Sequence, residues 1–323
     1  MPATPLPLCT GLVALFVCGL TLPAAAASFD CAKAANPLAK AICADPGLSA
    51  ADDKLVGRYA EAMARTLDPG KLHDEQRQWS ARLEKGKATA AAIADAYQNR
   101  LNQLDREIAW LDQIEPARDT TEDAARAGCP ALFDDPADTA VPCKVANFGA
   151  VGTVDGRTFF YGLYIYTIPA GDDPVHTAVV IFERRADGRL RALYAPQEAA
   201  GFFSQPQIIA EAGHTLLQLP GYDSGTGDFN VERLFLWKNA VWNYFDTDEW
   251  HSGLAHRLPR GYEIWKGVFP DYRKMTGATP LWLVKTDGNC CPTGGRADFT
   301  LGWQGDRLVV KSVQVKLGVR YAN

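Results

Sequence analysis

The chain has 323 residues, of which 47% are hydrophobic and 22% are charged, and its formal net charge is −5 at pH 7. This hydrophobic fraction is enough to form buried cores, so it excludes a largely disordered chain, and the length favours two domains. The acidic balance argues against nucleic acid and anionic membrane surfaces as partners, and it leaves a basic protein as a compatible one.

The first residues predict a signal peptide over 1–27. Residues 12–22 form an apolar run that is too short to span a bilayer, and residues 24–27 are four alanines of the kind that signal peptidase requires. We expect cleavage after Ala27 or a neighbouring alanine. The mature chain would then have no transmembrane anchor and would lie in the periplasm or outside the cell. An uncleaved anchor helix is less favoured, because Gly19 and Pro23 interrupt the run.

Two cysteines, Cys31 and Cys43, follow this segment closely. A pair with so short a spacing, inside a helical segment of an exported protein, predicts a local disulfide rather than a redox site. Closing a loop of this size stabilises a domain by about 3 kcal/mol in the chain-entropy model.

Residues 28–115 predict a small antiparallel bundle of helices. Ser49 and Asp52 have the spacing of a capping box, which would start a helix, and Asp68 with the Pro and Gly that follow would end it. Apolar side chains recur at spacings of three and four residues along each predicted helix. Trp79 and Tyr97 continue these stripes and are therefore predicted core residues.

The run AKAICADPGLSAADDKLVGRY, followed by QRQW and YQNRLNQL, resembles the N-terminal domain of the LprI-type lysozyme inhibitors over about residues 28–112. The residues that carry the first match, in the family's order, are Cys31, Ile42, Cys43, Asp45, Leu48, Asp52, Leu55 and Tyr59. The resemblance implies an exported helical binding module, with inhibition of lysozyme as its activity. The chain lacks the further Cys that family members often place after the tryptophan, here Trp79, and this departure favours pairing of Cys31 with Cys43.

Three acids of the helical module, Asp45, Asp52 and Asp53, are the candidate partner-binding residues. We expect them to be exposed. An acidic surface would steer a basic lysozyme-like hydrolase to the module, and an inserted carboxylate would mimic the charge of its substrate. Asp52 and Asp53 also suit the first turn of a helix, where a carboxylate favours the N-terminus.

Residues 116–147 predict a polar linker, and residues 148–323 an antiparallel β domain. Nine runs rich in Tyr, Phe, Trp and Val are predicted strands, and short turns at 186–188, 238–239 and 304–305 join several of them as hairpins. The fold class is therefore α+β with two domains. The β domain is predicted to be a sandwich or a curled sheet, with a propeller less favoured.

Four further cysteines, Cys129, Cys143, Cys290 and Cys291, allow three connectivities. One joins Cys129 to Cys143 within the linker and leaves an adjacent pair in the TDGNCCPTGG loop. The others tie the linker to that loop by two bridges. Metal capture or redox sensing by the adjacent thiols is the less favoured interpretation.

Candidate catalytic and metal-binding groups are few, and none has a standard spacing. The three isolated histidines, His73, His176 and His214, are interpreted as surface or core residues. The best metal candidate by composition is the group Asp246, Asp248, Glu249, His251 and His256. The loop with Asp223, Ser224, Thr226 and Asp228 has neither the calcium-loop register nor the serine elbow.

No metal or cofactor is predicted from these patterns. The favoured hypothesis is a non-enzymatic, exported envelope binding protein that inhibits a lysozyme-type hydrolase through its helical module. The alternative is an envelope hydrolase with its active site in the β domain, using Asp246, Asp248 and His251 or the loop of Ser224.

Overall fold

The computed structural model of the chain describes residues 27–86, 89–130, 132, 143–167, 175–195, 202–223 and 229–317. The predicted signal peptide up to residue 26, most of the predicted linker and the loop of Ser224, Thr226 and Asp228 lie outside these ranges. In the described ranges, no helix combines the length and the apolar character needed to cross a membrane.

Helices occupy the N-terminal part, and antiparallel sheets follow, so the predicted fold class is confirmed. The described helices are α1 (Pro37–Ala44), α2 (Pro46–Arg65), α3 (Pro69–Lys85), α4 (Ala90–Ile114), α5 (Glu122–Ala127) and α6 (Asp248–Ala255). Two 3₁₀ turns, Cys31–Lys33 and Glu115–Arg118, flank the first four helices.

Helix α2 begins three residues earlier than the predicted capping box. The carboxylate of Asp45 accepts hydrogen bonds from the backbone amides of Gly47 and Leu48, at 2.7 and 3.2 Å, and thereby caps the helix. The hydroxyl of Ser49 instead donates to the carbonyl of Ile42, 2.8 Å away. The predicted capping box is therefore wrong, because Pro46 starts the helix and places Ser49 within its first turn.

Seventeen strands are described. In chain order they are β1 (Asp119–Thr120), β2 (Cys143–Val154), β3 (Arg157–Thr167), β4 (Val175–Arg184), β5 (Leu190–Tyr194), β6 (Phe202–Phe203), β7 (Gln207–Glu211), β8 (His214–Leu219), β9 (Gly221–Asp223), β10 (Phe229–Asn230), β11 (Arg233–Lys238), β12 (Val241–Tyr244), β13 (Tyr262–Glu263), β14 (Phe269–Asp271), β15 (Thr276–Leu283), β16 (Gly295–Gln304) and β17 (Arg307–Lys316).

These strands form four sheets, and every described pairing is antiparallel. The spatial orders are β1-β5-β4-β3-β2, β10-β9-β6, β12-β11-β8-β7 and β13-β15-β16-β17, with β14 paired to β15. Neighbours in sequence are mostly neighbours in space, as the short predicted hairpin turns require.

Alternate residues of β4 face two different cores. Val180 packs in a cluster with Leu67, which lies between α2 and α3, whereas Ile181 packs in a cluster with Leu217 of β8. The first sheet is therefore covered on both faces, and its central strands are apolar on both sides for this reason. Leu216, one residue from Leu217, faces a third cluster with Trp250 of α6.

The described chain divides into two compact units. The first comprises residues 27–59 and Arg82–Gln103, and the second comprises Ala60–Ala81 and the residues from Leu104 onward. Residues 60–81 of the helical segment therefore pack with the β domain in the second unit. One such contact is the hydrogen bond from the amide of Ala195 to the carbonyl of Leu67, at 2.8 Å.

Disulfide bonds, which the composition predicts for an exported chain, are present. Cys31 is bonded to Cys43, Cys129 to Cys143, and Cys290 to the adjacent Cys291. Of the connectivities that the sequence leaves open, the structure contains the one that closes the linker on itself. Cys290 and Cys291 are both exposed.

Candidate functional site

The second unit contains a cavity of about 580 Å³. This volume lies within the usual range of small-molecule sites. The lining comes from the end of α2, the start of α3 and the residue Thr66 between them, from the 3₁₀ turn at Glu115–Arg118, and from β3, β4, β5, β8, β11 and β12. Its residues are mostly apolar or aromatic, with two arginines and one asparagine: Met63, Ala64, Thr66, Pro69, Arg118, Arg157, Ile181, Leu193, Tyr194, Leu217, Phe235, Trp237, Val241, Trp242, Asn243 and Tyr244. We call this cavity the aromatic pocket.

The β11–β12 hairpin positions the two tryptophans of the aromatic pocket. Asn239 and Ala240 form its two-residue turn, and both have positive φ values, 54° and 59°. A two-residue turn of this handedness matches the twist of the strands and fixes their register. Trp237 and Trp242 are consequently direct cross-strand partners, with ring centroids 4.9 Å apart and ring planes inclined by 63°.

The rings around this pair hold each other in edge-to-face contacts. Phe159 meets Trp237 and Trp242 at centroid distances of 5.6 and 5.5 Å, and Tyr194 meets Phe235 at 5.4 Å. Such contacts add to the stability that burial gives and restrict the orientation of each ring. The aromatic wall is therefore largely preformed for a ligand.

Arg157 is fixed at the wall of the aromatic pocket by a bidentate ion pair with Glu183. Its Nε and Nη2 atoms each donate to one carboxylate oxygen of Glu183, and Nη1 donates to the carbonyl of Ala240. The hydrogen bonds from Arg157 to Glu183 raise the pKa of the guanidinium. Its carbon lies 5.2 Å from the centroid of the Trp237 ring, which is a cation–π distance.

Arg118 is held by backbone carbonyls. It donates to the carbonyl of Ala192 from Nε and Nη2, at 3.2 and 3.1 Å, and to the carbonyl of Arg65 from Nη1, at 3.1 Å. Burial lowers the pKa of Arg118, and the charge of Arg191 acts in the same direction. Both arginines of the aromatic pocket are thus oriented before any ligand arrives.

The described lining of the aromatic pocket contains no Asp, Glu, His, Cys or Ser side chain. General acid–base and covalent catalysis most often use one of these groups, and the hydroxyls that the described lining does contain are those of Thr66, Tyr194 and Tyr244. The lining instead offers flat apolar rings beside guanidinium groups. This combination suits binding of a ring-shaped molecule that carries a polar or anionic substituent.

Asp52, one of the candidate partner-binding acids, is buried rather than exposed. Only 7% of its surface is accessible, and its Oδ1 accepts a hydrogen bond from the hydroxyl of Tyr97 at 2.8 Å. Its Oδ2 accepts from the amide and the hydroxyl of Ser28, at 2.9 and 2.6 Å. The expectation that Asp52 is exposed is therefore wrong. The reason is that Asp52 lies on the same helical stripe as the buried Leu48 and Leu55.

The other two acids differ from Asp52 in their surroundings. Asp45 is partly exposed and caps α2, so its carboxylate has a structural role even without a partner. Asp53 is exposed on the surface of α2. Tyr97 is buried, as predicted, and burial together with the hydrogen bond to Asp52 raises the pKa of its hydroxyl.

The five residues considered as a metal site do not converge. Asp248 pairs with Arg77, Glu249 pairs with Arg307 at 2.7 Å, and Asp246 lies 3.7 Å from Nε2 of His73. Burial lowers the pKa of His251 to about 4, and His256 is exposed. In the described part of the chain, no group of three or more His, Cys, Asp or Glu side chains could hold a metal ion.

The side chains of His73 and His214 pack against aromatic rings, and that of His176 is not described. The ring of His214 stacks on Trp303 at a centroid distance of 3.8 Å, and the half-buried His73 lies 5.6 Å from the ring of Tyr244. The backbone of His176 belongs to β4, and its side chain lies outside the described set. The side chain of Asp223, at the end of β9, is likewise not described.

No protein-family model and no curated protein matches the chain. Among solved structures, the crystal structure of a GH43_12 retrieved from capybara gut metagenome is similar at 14% identity, with a TM-score of 0.29. The match covers 53% of this chain and 33% of that chain, so the present chain spans about a third of the length of the protein it resembles.

Proposed function

We propose that the chain is an exported binding protein of the bacterial envelope and acts without catalysis. The observation that carries this proposal is the aromatic pocket, whose described lining has preformed rings and two fixed arginines and contains no Asp, Glu, His, Cys or Ser side chain. The three disulfides support export, because such bonds persist mainly outside the cytosol.

The partner protein in this proposal is a basic hydrolase of the lysozyme type, bound by the first compact unit. The support is the resemblance to the LprI-type inhibitors, together with the exposure of Asp53 and the partial exposure of Asp45 on the same helical segment. Asp52 takes no direct part in the contact, because its carboxylate is enclosed. It acts by fixing the start of the mature chain against α2 and α4.

A lysozyme turbidity assay tests this partner. The whole mature chain is used, because residues 60–81 pack with the β domain and a fragment ending at 115 would lose those contacts. We expect inhibition of lysis, weakened several-fold by Asp53→Asn and by added salt. Asp45→Ser keeps a capping oxygen while removing the charge, and it should also weaken inhibition.

Asp95→Asn is the matched control, because Asp95 is an exposed acid on another helix, α4. It should leave inhibition unchanged. Lysis at the uninhibited rate in the presence of the whole chain would show that the proposed partner is wrong. Equal weakening by Asp95→Asn would show that overall charge, rather than a contact at α2, is responsible.

The aromatic pocket provides a second, independent measurement of binding. Trp237 and Trp242 line it, so ligand entry should change tryptophan fluorescence. Benzoate and glucuronate are suitable probes because they combine a ring with a carboxylate, and benzyl alcohol and glucose are their uncharged controls. We expect tighter binding of the charged probes, and Arg157→Lys should reduce the difference because lysine lacks the planar fork of arginine.

The alternative, an envelope hydrolase with its site in the β domain, has less support. Asp246, Asp248 and His251 have separate partners or are enclosed. Hydrolytic activity that is lost in His251→Asn, in a folded variant, would favour this alternative.

A further inference from the structure

The carboxylate of Asp52 is a buried charge whose hydrogen bonds come only from neutral groups in the described part of the chain. The donors are the hydroxyl of Tyr97 and the amide and hydroxyl of Ser28. Removing a carboxylate from water is expensive, and enclosed acids are usually paired with a cation. Among the described residues, the uncleaved chain therefore gives this negative charge no positive hydrogen-bond donor, although its burial favours one.

The backbone nitrogen of Ser28 is the atom that could become this partner. It lies 2.9 Å from Oδ2 of Asp52, and it belongs to the peptide bond that follows the last of the four alanines. Hydrolysis of that bond adds one water. The carbon–nitrogen bond breaks, Ala27 leaves as a carboxylate, and the nitrogen of Ser28 becomes an amine that is protonated below its ordinary pKa of about 8.

We propose that signal peptidase cleaves after Ala27 and that the new ammonium group of Ser28, which is exposed on its other side, forms a partly buried ion pair with the enclosed carboxylate of Asp52. The proposal rests on the export of the chain. No rearrangement of the carboxylate is required, because Tyr97 occupies Oδ1 and Ser28 occupies Oδ2. The mature chain is consequently more stable than any form extended beyond Ser28, so processing completes the fold of the first unit.

Cleavage one residue earlier is the competing outcome. It would leave Ala27, which is 7% exposed, at the start of the mature chain, and the nitrogen of Ser28 would stay a neutral amide. Mass spectrometry of the N-terminal peptide from the exported protein distinguishes the two. A mature chain that begins at Ser28 is expected. A chain that begins at any other residue overturns the inference while leaving export intact, and an uncut cytosolic chain overturns both.

A double-mutant cycle tests the ion pair itself, with purified chains that begin at Ser28 or carry Gly-Ala before it. We expect the extension to lower the Tm of the wild-type chain by about 3 °C or more. In Asp52→Asn the same extension should have no effect, because no charge remains to be paired. Asp53→Asn is the control, since it removes a neighbouring exposed carboxylate, and it should keep the full difference.

Equal Tm values for the two wild-type forms would overturn the inference. A difference that persists unchanged in Asp52→Asn would also overturn it, because the extension would then act by steric hindrance. Neither result bears on lysozyme inhibition, which the turbidity assay measures separately.

Discussion

Trp237 and Trp242 face each other across the β11–β12 hairpin, with ring centroids 4.9 Å apart, and both line the aromatic pocket. Phe159 contacts the edges of both rings and is itself fully buried beneath them. The wall of the candidate site is thus continuous with the packing of the first and third sheets. A change in these rings will affect stability and binding together.

Replacing Trp242 tests this coupling. We expect Trp242→Ala to lower the free energy of unfolding by about 2 kcal/mol or more, because the contacts with Phe159 and Trp237 are lost. Trp242→Phe should recover most of that loss. Val241→Ala, at an exposed neighbouring position, is the control and should change little. Urea denaturation measures all three, and an Ala variant as stable as wild type would contradict the expectation.

Removing the Tyr97 hydroxyl tests the environment of Asp52. Tyr97→Phe keeps the ring but deletes the donor to Oδ1, so we expect a loss of about 1–2 kcal/mol of unfolding free energy. Gln98→Ala changes an exposed residue on the same helix and serves as the control. The midpoint of denaturant unfolding gives the comparison. A stabilised Phe variant would show that the hydroxyl is not needed by the carboxylate.

His251 predicts a dependence of stability on pH. Burial lowers its pKa from an ordinary value of 6.5 to about 4, while the nearby charge of Asp246 acts in the opposite direction. The unfolded chain therefore binds a proton more readily than the folded one, and stability is lost as the pH falls from 6.5 towards 4. The expected loss from this group is about 3 kcal/mol.

The measurement compares wild type with His251→Asn at pH 7 and pH 4. The variant lacks the titrating group, so its stability should fall less over this interval. His256→Asn removes an exposed histidine five residues away and should behave as wild type does. Parallel losses in wild type and His251→Asn would exclude His251 as the origin of the acid sensitivity.

Glu232 is expected to affect stability in the opposite direction, lowering it as the pH rises. Burial raises its pKa, although Gln218 and Tyr272 donate hydrogen bonds to its two oxygens at 3.0 and 2.8 Å. The folded chain then holds this proton more tightly than the unfolded one, so its contribution to stability is present at low pH and is lost as the pH rises through the raised pKa. Glu232→Gln should gain stability relative to wild type as the pH rises. A constant difference between the two from pH 4 to 8 would contradict this prediction.

The sequence predicts the sheets well because their patterns are local. The continuous apolar run at 178–182 and the turns at 186–188, 238–239 and 304–305 are contained in short windows. None of the nine predicted runs covers β2 (Cys143–Val154), which begins inside the predicted linker, or β7 (Gln207–Glu211). Helix α6 is likewise not predicted, because its acids and His251 have the composition of a metal site.

The candidate site was harder to predict than the fold. The aromatic pocket gathers residues from six strands, and no local spacing links Arg157 with Trp242 or Tyr194. The burial of Asp52, in contrast, can be predicted from the sequence, since the spacing of Leu48, Asp52 and Leu55 places all three on one helical face. A carboxylate on an apolar helical stripe therefore predicts a buried, hydrogen-bonded residue better than it predicts an exposed binding residue.

Gly70, in the first turn of α3, lies so close to the β domain that an added Cβ would be 2.8 Å from Nε of Arg233 and 3.1 Å from the ring of Tyr244. This early segment thus packs on residues that leave the ribosome more than a hundred and fifty positions later. Until they emerge, the apolar side of residues 60–81 has no native cover. A nascent chain in this state exposes apolar surface, is prone to aggregation and is expected to bind chaperones during biosynthesis.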